Sequence, residues 1–160
     1  MFTETLMRLL HQEPFLSIDT VVWDLDGCLG PLPGWDPDAL LESYIVEAGV
    51  IRQTVLTLQR HGIDSILVSR NAAFCGAAYK DANKQVGEVL LMPSYPCSRT
   101  RRDVAKTRII EHDDPSRVLL IDDSQAECLL AAETGSVAFH LPTVAVDAIP
   151  KLKFMVLDGR

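Results

Sequence analysis

Short apolar runs alternate with longer amphipathic segments along the chain, which is the pattern of a parallel α/β sheet. The apolar runs are rich in β-branched residues, which favour strands, and glycine, proline or polar residues bound them. The pattern predicts strands over residues 18–23, 63–68, 88–92, 117–121 and 136–139, with a candidate sixth over 153–157. We therefore expect an α/β domain with a parallel sheet of five to six strands and helices on both faces.

Helical periodicity fills the intervals between the predicted strands. Gly87 is expected to end the third helix, Pro93 to end the strand that follows it, and Gly135 to end the last helix. Ser124 followed by Glu127 three residues later fits a capping box at the start of that last helix. The predicted helices cover residues 2–12, 36–61, 72–86, 98–112 and 124–134.

The chain of 160 residues has the length of one domain, and its apolar share of 48% is sufficient for one buried core. No internal repeat or flexible linker divides it. We expect a single domain made of a helical extension over 1–17, a catalytic core over 18–140 and a tail over 141–160.

Charge and cysteine spacing limit the classes of partner. The net charge of −7 disfavours non-specific binding to nucleic acid or to anionic membranes. No apolar stretch approaches the about 20 residues that span a bilayer, and the first ten residues do not have the pattern of a signal peptide. The four cysteines lack C-x-x-C spacing and fit reduced thiols. These features favour a cytoplasmic protein that binds neither nucleic acid nor membrane.

Polar side chains follow three of the predicted strands at the point where each strand ends. The carboxyl ends of parallel strands meet at one edge of a sheet, where ligands bind in open α/β folds. Lys106, on the arginine-rich predicted helix before the fourth strand, is expected to reach the same edge. The strand-end residues are Asp24, Asp26, Ser69, Arg70, Asn71, Asp122 and Asp123.

Four carboxylates in one small region repel one another unless they are protonated or neutralised by a cation. Magnesium prefers oxygen ligands and keeps several waters, so two carboxylates and a backbone carbonyl are sufficient to hold it. The ion also attracts a phosphate oxygen, while a lysine and a serine hydroxyl can bind others. A carboxylate beside the metal can be the nucleophile. The residues therefore predict a magnesium-dependent site for phosphoryl transfer.

The segment Asp24-Leu25-Asp26-Gly27-Cys28-Leu29 resembles the first motif of the haloacid dehalogenase superfamily, D-x-D-G-(T/V)-L, with Cys28 in place of Thr or Val. Ser69 resembles the second motif, Lys106 the third and Asp122-Asp123 the fourth. The four motifs keep the family's order and span most of the chain. One D-x-D-G alone is a weak signal, but four ordered motifs are specific. The resemblance implies the Rossmann-like core of that superfamily.

The resemblance also implies a role for each residue. Asp24 would be the nucleophile that carries the phosphoryl group, and Asp26 the general acid and base. Ser69 and Lys106 would bind the phosphoryl oxygens, with Arg70 and Asn71 as further substrate ligands. An acid at position 26 favours phosphatases over dehalogenases. The magnesium ligands would be Asp24, the backbone carbonyl of Asp26, Asp122 and, in support, Asp123.

Several of these residues also fit a structural role. Asp24 and Asp26 fit a solvated turn, and Asp122-Asp123 fit a helix cap. Lys84 is the alternative to Lys106. Glu127 fits a capping role better than a ligand role, and Arg70 and Asn71 fit a loop as well as a binding site. The arginines at 99, 101 and 102 fit either a solvated helix face or a substrate patch, and the histidines at 11, 61, 112 and 140 are expected to be structural.

The short intervals from Asp24 to Ser69 and from Ser69 to Lys106 are filled by the predicted elements of the core. We therefore expect no large cap domain and an open site. An open site favours a bulky phosphorylated substrate, such as a protein or a carrier-bound group, or a lid from another subunit of a homo-oligomer. A small phosphorylated molecule is also compatible with it.

Three functions remain open on the sequence. The first is a magnesium-dependent phosphatase of phosphate monoesters. The second follows from a resemblance of the motif details to domains that load glyceryl groups from a bisphosphorylated glycerate onto acyl carrier proteins, which are usually longer chains. The third is a non-catalytic phosphate-binding or regulatory module, such as a response-regulator receiver. In receivers the acidic pair follows the first strand, whereas here Asp122-Asp123 follow Lys106.

Overall fold

The computed structural model describes residues 2–24, 49, 51–69, 84–96, 103–140 and 155–160. Helices and strands alternate through most of this part of the chain, as expected for an α/β protein. The helices are α1 (Phe2–Leu10), α2 (residues 51–60), α3 (residues 84–89), α4 (Lys106–Ile109) and α5 (Gln125–Glu133), and a 3₁₀ turn covers Pro115–Arg117. The strands are β1 (Thr20–Trp23), β2 (Asp64–Ser69), β3 (Ser94–Pro96), β4 (Val118–Asp122), β5 (Val137–His140) and β6 (Met155–Asp158).

The six strands form one sheet in the order β3-β2-β1-β4-β5-β6. The first five are parallel, whereas β6 pairs antiparallel with β5. The predicted α/β class with a mostly parallel, Rossmann-like sheet is thus confirmed, and the sixth strand exists but runs in the opposite direction. The chain builds β1 to β3 on one side of the sheet and then crosses back to β4 on the other side of β1.

One apolar layer packs α1, α2 and α3 against the sheet. Trp23 of β1 and Ile121 of β4 contribute to it from neighbouring strands, and both are fully buried. The helices contribute Leu6 of α1, Leu58 of α2 and Val86 of α3. Each such buried side chain stabilises the fold by about 1.5–3 kcal/mol relative to an exposed one.

A second apolar layer lies on the other face of the sheet, because successive side chains of a strand point to opposite faces. Val22 and Leu120 pack there against Cys128 and Ala131 of α5, with Ile109 of α4 beside them. Helices therefore cover both faces, as predicted. Asp24 and Asp122 follow Trp23 and Ile121, so their side chains lie on this second face.

The segment around Gly87 differs from the prediction. Helix α3 runs through Gly87 to residue 89, and a turn follows in which Leu91 has a φ of +62°. The strand predicted over 88–92 is therefore wrong, and so is the helix end at Gly87. The strand of this region is Ser94–Pro96, beyond Pro93.

Burial explains this difference. Val86 and Leu90 are four residues apart and both are buried in the same apolar layer, which is a helical spacing. Among the described strands, β3 lies at the edge of the sheet and pairs only with β2. A proline such as Pro96, which has no N–H, is tolerated at such an edge. The apolar run that suggests a strand in the sequence is therefore the buried end of a helix and its turn.

The other boundaries shift by one or two residues, with one exception. The helix predicted over 98–112 is helical only over Lys106–Ile109 among its described residues, and it has ended before Glu111, which has a φ of +53°. Gly62 and Gly135, with φ of +74° and +92°, follow their helices as predicted. The predicted helix start at Asp36 and the segments that would carry a cap domain lie outside the described residues.

Among the described residues, none of the helices combines the length and the apolar character that a membrane crossing requires.

Gly87 allows a close approach of the backbone, and its replacement tests this. A Cβ at Gly87 would lie 2.8 Å from the backbone oxygen of Met92 and 3.3 Å from Cβ of Ser94. We expect Gly87→Ala to lower the free energy of unfolding by about 1–3 kcal/mol in urea titrations, because a backbone carbonyl cannot rotate away. Gly49→Ala is the matched control: among the described residues nothing lies within 4 Å of a Cβ at that helical glycine, so a gain of about 0.5–1 kcal/mol is expected. Equal urea midpoints for the two variants would contradict the close approach.

Candidate metal centre

The carboxyl ends of β1 and β4 lie side by side in the middle of the sheet. Trp23 is in register with Ile121, and the N–H of Asp24 donates to the carbonyl of Ile121 at 3.0 Å. Asp24 and Asp122 therefore stand level at the ends of neighbouring strands. Because Trp23 and Ile121 point to the face of α1, α2 and α3, the two aspartates that follow them leave the sheet on the opposite face.

Lys106 reaches this pair of carboxylates from the first turn of α4. Its Nζ donates to Oδ1 of Asp24 at 2.6 Å and to Oδ2 of Asp122 at 2.8 Å. The three residues are only 3%, 6% and 1% exposed, in that order. The alternative lysine of the sequence, Lys84, is exposed at the start of α3. The structure thus places Lys106 between the two strand ends and leaves Lys84 in solvent.

A third carboxylate joins the cluster. Asp24, Asp122 and Asp123 each offer an oxygen, and these oxygens lie within 4.8 Å of one another. When all three carboxylates are ionised, they and the one ammonium of Lys106 leave two negative charges among the described residues of the cluster. An all-oxygen donor set with this charge suits a hard divalent cation such as Mg²⁺. The residues present therefore fit the ion that the sequence predicts.

The titration behaviour of the cluster follows from burial and close charges. Burial raises the pKa of Asp24 well above its ordinary value, and the charge of Asp122 raises it further while Lys106 opposes the shift. Burial also raises the pKa of Asp123, although its hydrogen bond with Asp24 acts the other way. For Lys106, burial alone would lower the pKa, but attraction to the two buried carboxylates outweighs it and the pKa is raised. Lys106 is therefore a charged ammonium at neutral pH.

The turn after β4 fixes the orientation of Asp122. Its Oδ1 accepts the backbone N–H of Ser124 at 2.9 Å, while its Oδ2 is bound to Lys106. Ser124, not an aspartate, is the N-cap of α5, and its Oγ accepts the N–H of Glu127 at 3.4 Å, which is one of the two hydrogen bonds of the predicted capping box. The carboxylate of Glu127 is not part of the acidic cluster found in the described ranges. Asp122 and Asp123 are therefore available for a metal ion.

His140 was expected to be structural, but it contacts the turn that carries the acidic pair. It ends β5 in register with Asp122, and its Nε2 lies 2.9 Å from the carbonyl oxygen of Asp123. Because a carbonyl only accepts, Nε2 carries the hydrogen and donates it. The sequence offered one signal for this contact, namely that His140 directly follows the strand predicted over 136–139. The hydrogen-bond partner is a backbone oxygen, which every residue has, so the contact could not be predicted from residue types.

Of the remaining predicted site residues, the structure describes only Ser69. Ser69 is the last residue of β2, buried, and one residue further along than the level of Asp24, since Trp23 is in register with Leu67. It shares the sheet edge, but Leu67 and Val68 belong to opposite apolar layers, so Ser69 points to the face of Leu67 and away from Asp24 and Asp122. The residues that lie outside the described ranges are Asp26, Arg70 and Asn71, together with the arginines at 99, 101 and 102.

No protein-family model, no curated protein and no solved structure matches this chain. The class of the protein therefore rests on the strand order and the cluster. The order 3-2-1-4-5-6 is that of a doubly wound sheet whose connections diverge between β1 and β4. Ligands of such sheets bind outside the strand ends at this switch point, where Asp24 and Asp122 lie. The fold and the cluster define a doubly wound α/β protein with a candidate metal centre at its switch point.

The raised pKa values of Asp24 and Asp123 predict how pH affects stability. Between the ordinary and the raised pKa, the folded protein holds more protons than the unfolded chain, so without metal the free energy of unfolding falls as pH rises through that window. Mg²⁺ would bind the deprotonated carboxylates, so its stabilising effect should grow over the same window. We expect the difference in Tm between Mg²⁺ and EDTA to be larger at about pH 8 than at about pH 5. Asp122→Asn should remove the difference, and an equal difference at both pH values would contradict the site.

His140 is expected to act as a positioning residue for the acidic pair. Partners that hydrogen bond to a metal ligand directly typically change metal affinity by about 10–100-fold when they are lost, and His140 acts one step further out, on the backbone of Asp123. We expect His140→Leu to weaken Mg²⁺ binding, measured by calorimetry, by about tenfold, because the Asp123 carbonyl loses its donor. His140→Gln keeps an amide donor on a side chain of similar length and should restore most of the affinity. Equal affinities for the Leu variant and the unaltered protein would show that the contact does not act on the metal centre.

Proposed function

We propose that this protein is a magnesium-dependent phosphatase of the haloacid dehalogenase type, which forms an aspartyl-phosphate on Asp24. The observation that carries the proposal is the buried ammonium of Lys106 held between Asp24 and Asp122 at the switch point of the sheet. Stability alone does not explain a buried ion pair of this kind, because apolar residues of similar size in its place often give a fold that is equally or more stable. Its presence at the ligand-binding edge of the sheet favours a catalytic role.

The hydrogen bonds of the cluster favour one oxygen of Asp24 as the nucleophile. Oδ1 accepts the hydrogen bond of Lys106, and we assign the attack on the phosphorus of a phosphate monoester to the other oxygen, Oδ2. The ester P–O bond breaks as the Asp24–phosphorus bond forms, and Asp26 would give its proton to the leaving oxygen. Water then attacks the phosphorus, Asp26 takes a proton from it, and inorganic phosphate leaves while the Asp24 carboxylate is restored.

Cations keep Asp24 in its reactive, ionised form. Its raised pKa means that burial and Asp122 favour the protonated form, which is not a nucleophile. Lys106 opposes this effect, and it also attracts the negative oxygens of the phosphoryl group. Mg²⁺, held by Asp24 and Asp122 with support from Asp123, would supply the remaining positive charge. The role of Lys106 is therefore electrostatic both before and during the attack.

The strand order argues against the receiver alternative. Receivers have the flavodoxin-like order 2-1-3-4-5, whereas this sheet has β2 and β1 between β3 and β4. In addition, the lysine that contacts the aspartates lies on α4, before the strand that carries Asp122. Both features support the proposed phosphatase function over that of a receiver-like regulatory module.

A phosphate-release assay tests the proposal. Purified protein is incubated with p-nitrophenyl phosphate and a panel of sugar and protein phosphate monoesters, with Mg²⁺ or with EDTA. We expect turnover that depends on Mg²⁺. Absence of release from the whole panel under both conditions would refute a phosphatase, and a mass increase on an acyl carrier protein supplied with a bisphosphorylated glycerate would favour the glyceryl transferase instead.

A further inference from the structure

Two exposed histidines meet where α1 and α2 end. His11 follows the last residue of α1 and His61 follows α2, and their ring centres are 4.9 Å apart with the ring planes at 84°. The two helices run side by side in the same direction, since the hydroxyls of Thr3 and Thr54, further towards their starts, are 2.6 Å apart. The pair belongs to neither the acidic cluster nor its sheet edge.

The hydrogen bonds of the two rings leave the same nitrogen free on each. Nδ1 of His11 lies 2.6 Å from the carbonyl of Met7, and Nδ1 of His61 lies 2.8 Å from the carbonyl of Thr57. A carbonyl only accepts, so both Nδ1 atoms carry hydrogen and both Nε2 atoms present a lone pair. In the described part of the chain, no residue bonds to either Nε2. A backbone carbonyl on the far nitrogen is the usual support of a histidine that binds metal through the other one.

The ring separation fits a shared ion. A Zn–N bond is about 2.0–2.1 Å, and a ring nitrogen lies about 1.1 Å from the ring centre, so each centre would be about 3.2 Å from the ion. For two Nε2 atoms directed at one ion, a separation of 4.9 Å corresponds to an N–metal–N angle of about 100°, close to the tetrahedral preference of zinc.

The ends of the helices favour a cation at the same place. The C-terminal end of a helix carries partial negative charge, and here two such ends lie together. The carbonyls of Met7 and Thr57 belong to the last turns of these helices and point at the histidine rings. The helix ends therefore favour a cation, against which Arg8 and Arg60 of the same last turns add positive charge.

We propose that His11 and His61 form a surface site for a transition metal ion of the zinc, nickel or copper class, bound through both Nε2 atoms and completed by water. Imidazole ligands suit these ions, whereas Mg²⁺ prefers oxygen. Occupation joins the N-terminal helix to α2 at their C-terminal ends and stabilises the extension on the core. The site is chemically separate from the acidic centre and does not depend on the phosphatase proposal.

Zinc binding to the full chain tests the site. Calorimetric titration with Zn²⁺ is made in excess Mg²⁺, so that the acidic cluster does not contribute. We expect one zinc equivalent that raises Tm, with an affinity that falls at least tenfold in His11→Gln and in His61→Gln. Both side chains are exposed, so the variants should fold, and urea midpoints without metal check this.

His112 supplies the matched histidine control. Its Nε2 is bound to Asp19 at 2.8 Å and its Nδ1 accepts the N–H of Asp114 at 2.9 Å, so neither nitrogen is free. His112→Gln should therefore bind zinc as the unaltered protein does. Unchanged zinc affinity and Tm shift in His11→Gln or in His61→Gln would overturn the two-histidine site, since either result shows that zinc binds elsewhere or to one ring only.

Discussion

Replacement of Asp24 by asparagine is expected to lower magnesium-dependent phosphate release by about a thousandfold or more, as loss of a nucleophile does in other covalent enzymes. Asparagine has the shape of aspartate, and its carbonyl oxygen can still accept the hydrogen bond from Lys106 that Oδ1 of Asp24 accepts at 2.6 Å. Its amide cannot form the acyl-phosphate bond. The measurements are kcat for phosphate release and the incorporation of labelled phosphate into acid-quenched protein, both of which should be lost.

Stability and a control variant separate loss of chemistry from loss of fold. Removing the charge of Asp24 relieves its burial and its repulsion with Asp122, and the raised pKa of Asp24 shows that these outweigh the lost attraction to Lys106, which keeps Asp122. Without metal, Asp24→Asn should therefore unfold at no lower urea concentration than the unaltered protein. Asp113→Asn changes an exposed carboxylate away from the cluster and should keep kcat. Substantial turnover by a folded Asp24→Asn variant would contradict an aspartyl-phosphate on this residue.

Local periodicity was sufficient to predict most of the fold. β1, β2, β4 and β5 are predicted within two residues of their observed bounds, because each is a short β-branched run closed by polar or turn residues. The direction of β6 depends on its pairing with β5, a long-range contact for which local sequence gives no signal. The strand prediction for residues 88–92 was wrong for a related reason. Its apolar residues would be buried by tertiary packing either as a strand or as the end of a helix, so the apolar run does not distinguish the two.

The part of the candidate site that lies at the ends of strands could be predicted from the sequence. Asp24 and Asp122 follow from the rule that carboxyl ends of parallel strands share an edge, together with a register that the structure shows to be level. The bridging position of Lys106 depends on the face that α4 covers and on the length of one side chain, which the strand pattern does not specify. The contact of His140 ends on a backbone carbonyl, so no pairing of residue types indicated it.

Lys106→Met is expected to destabilise the protein strongly when no metal is bound. Methionine has a similar length but no charge, so the buried carboxylates of Asp24 and Asp122 lose the ammonium that both contact. Removing one partner of a buried ion pair typically costs about 3–5 kcal/mol, because the remaining charge stays desolvated. Urea titration in EDTA should give a loss of this size, and phosphate release should be abolished as well.

The matched control is Lys84→Met, which removes an exposed lysine and should change the free energy of unfolding by no more than about 0.5 kcal/mol. Mg²⁺ should recover part of the loss in Lys106→Met, since the ion neutralises the same carboxylates. Similar urea midpoints for the two lysine variants in EDTA would contradict the buried position of Lys106.

A double-variant cycle identifies the charge on Asp24 as a cause of the loss. If Lys106 stabilises the fold by neutralising Asp24, then Asp24→Asn should make the loss of the lysine less costly, because one buried charge has already been removed. The combined variant Asp24→Asn/Lys106→Met should then be more stable than Lys106→Met alone, with a coupling free energy within the about 0.5–3 kcal/mol typical of residues in contact. Additive effects would mean that methionine disturbs packing rather than charge. Coupling would show that the ammonium compensates for a carboxylate that the fold keeps buried, as the proposed chemistry at Asp24 requires.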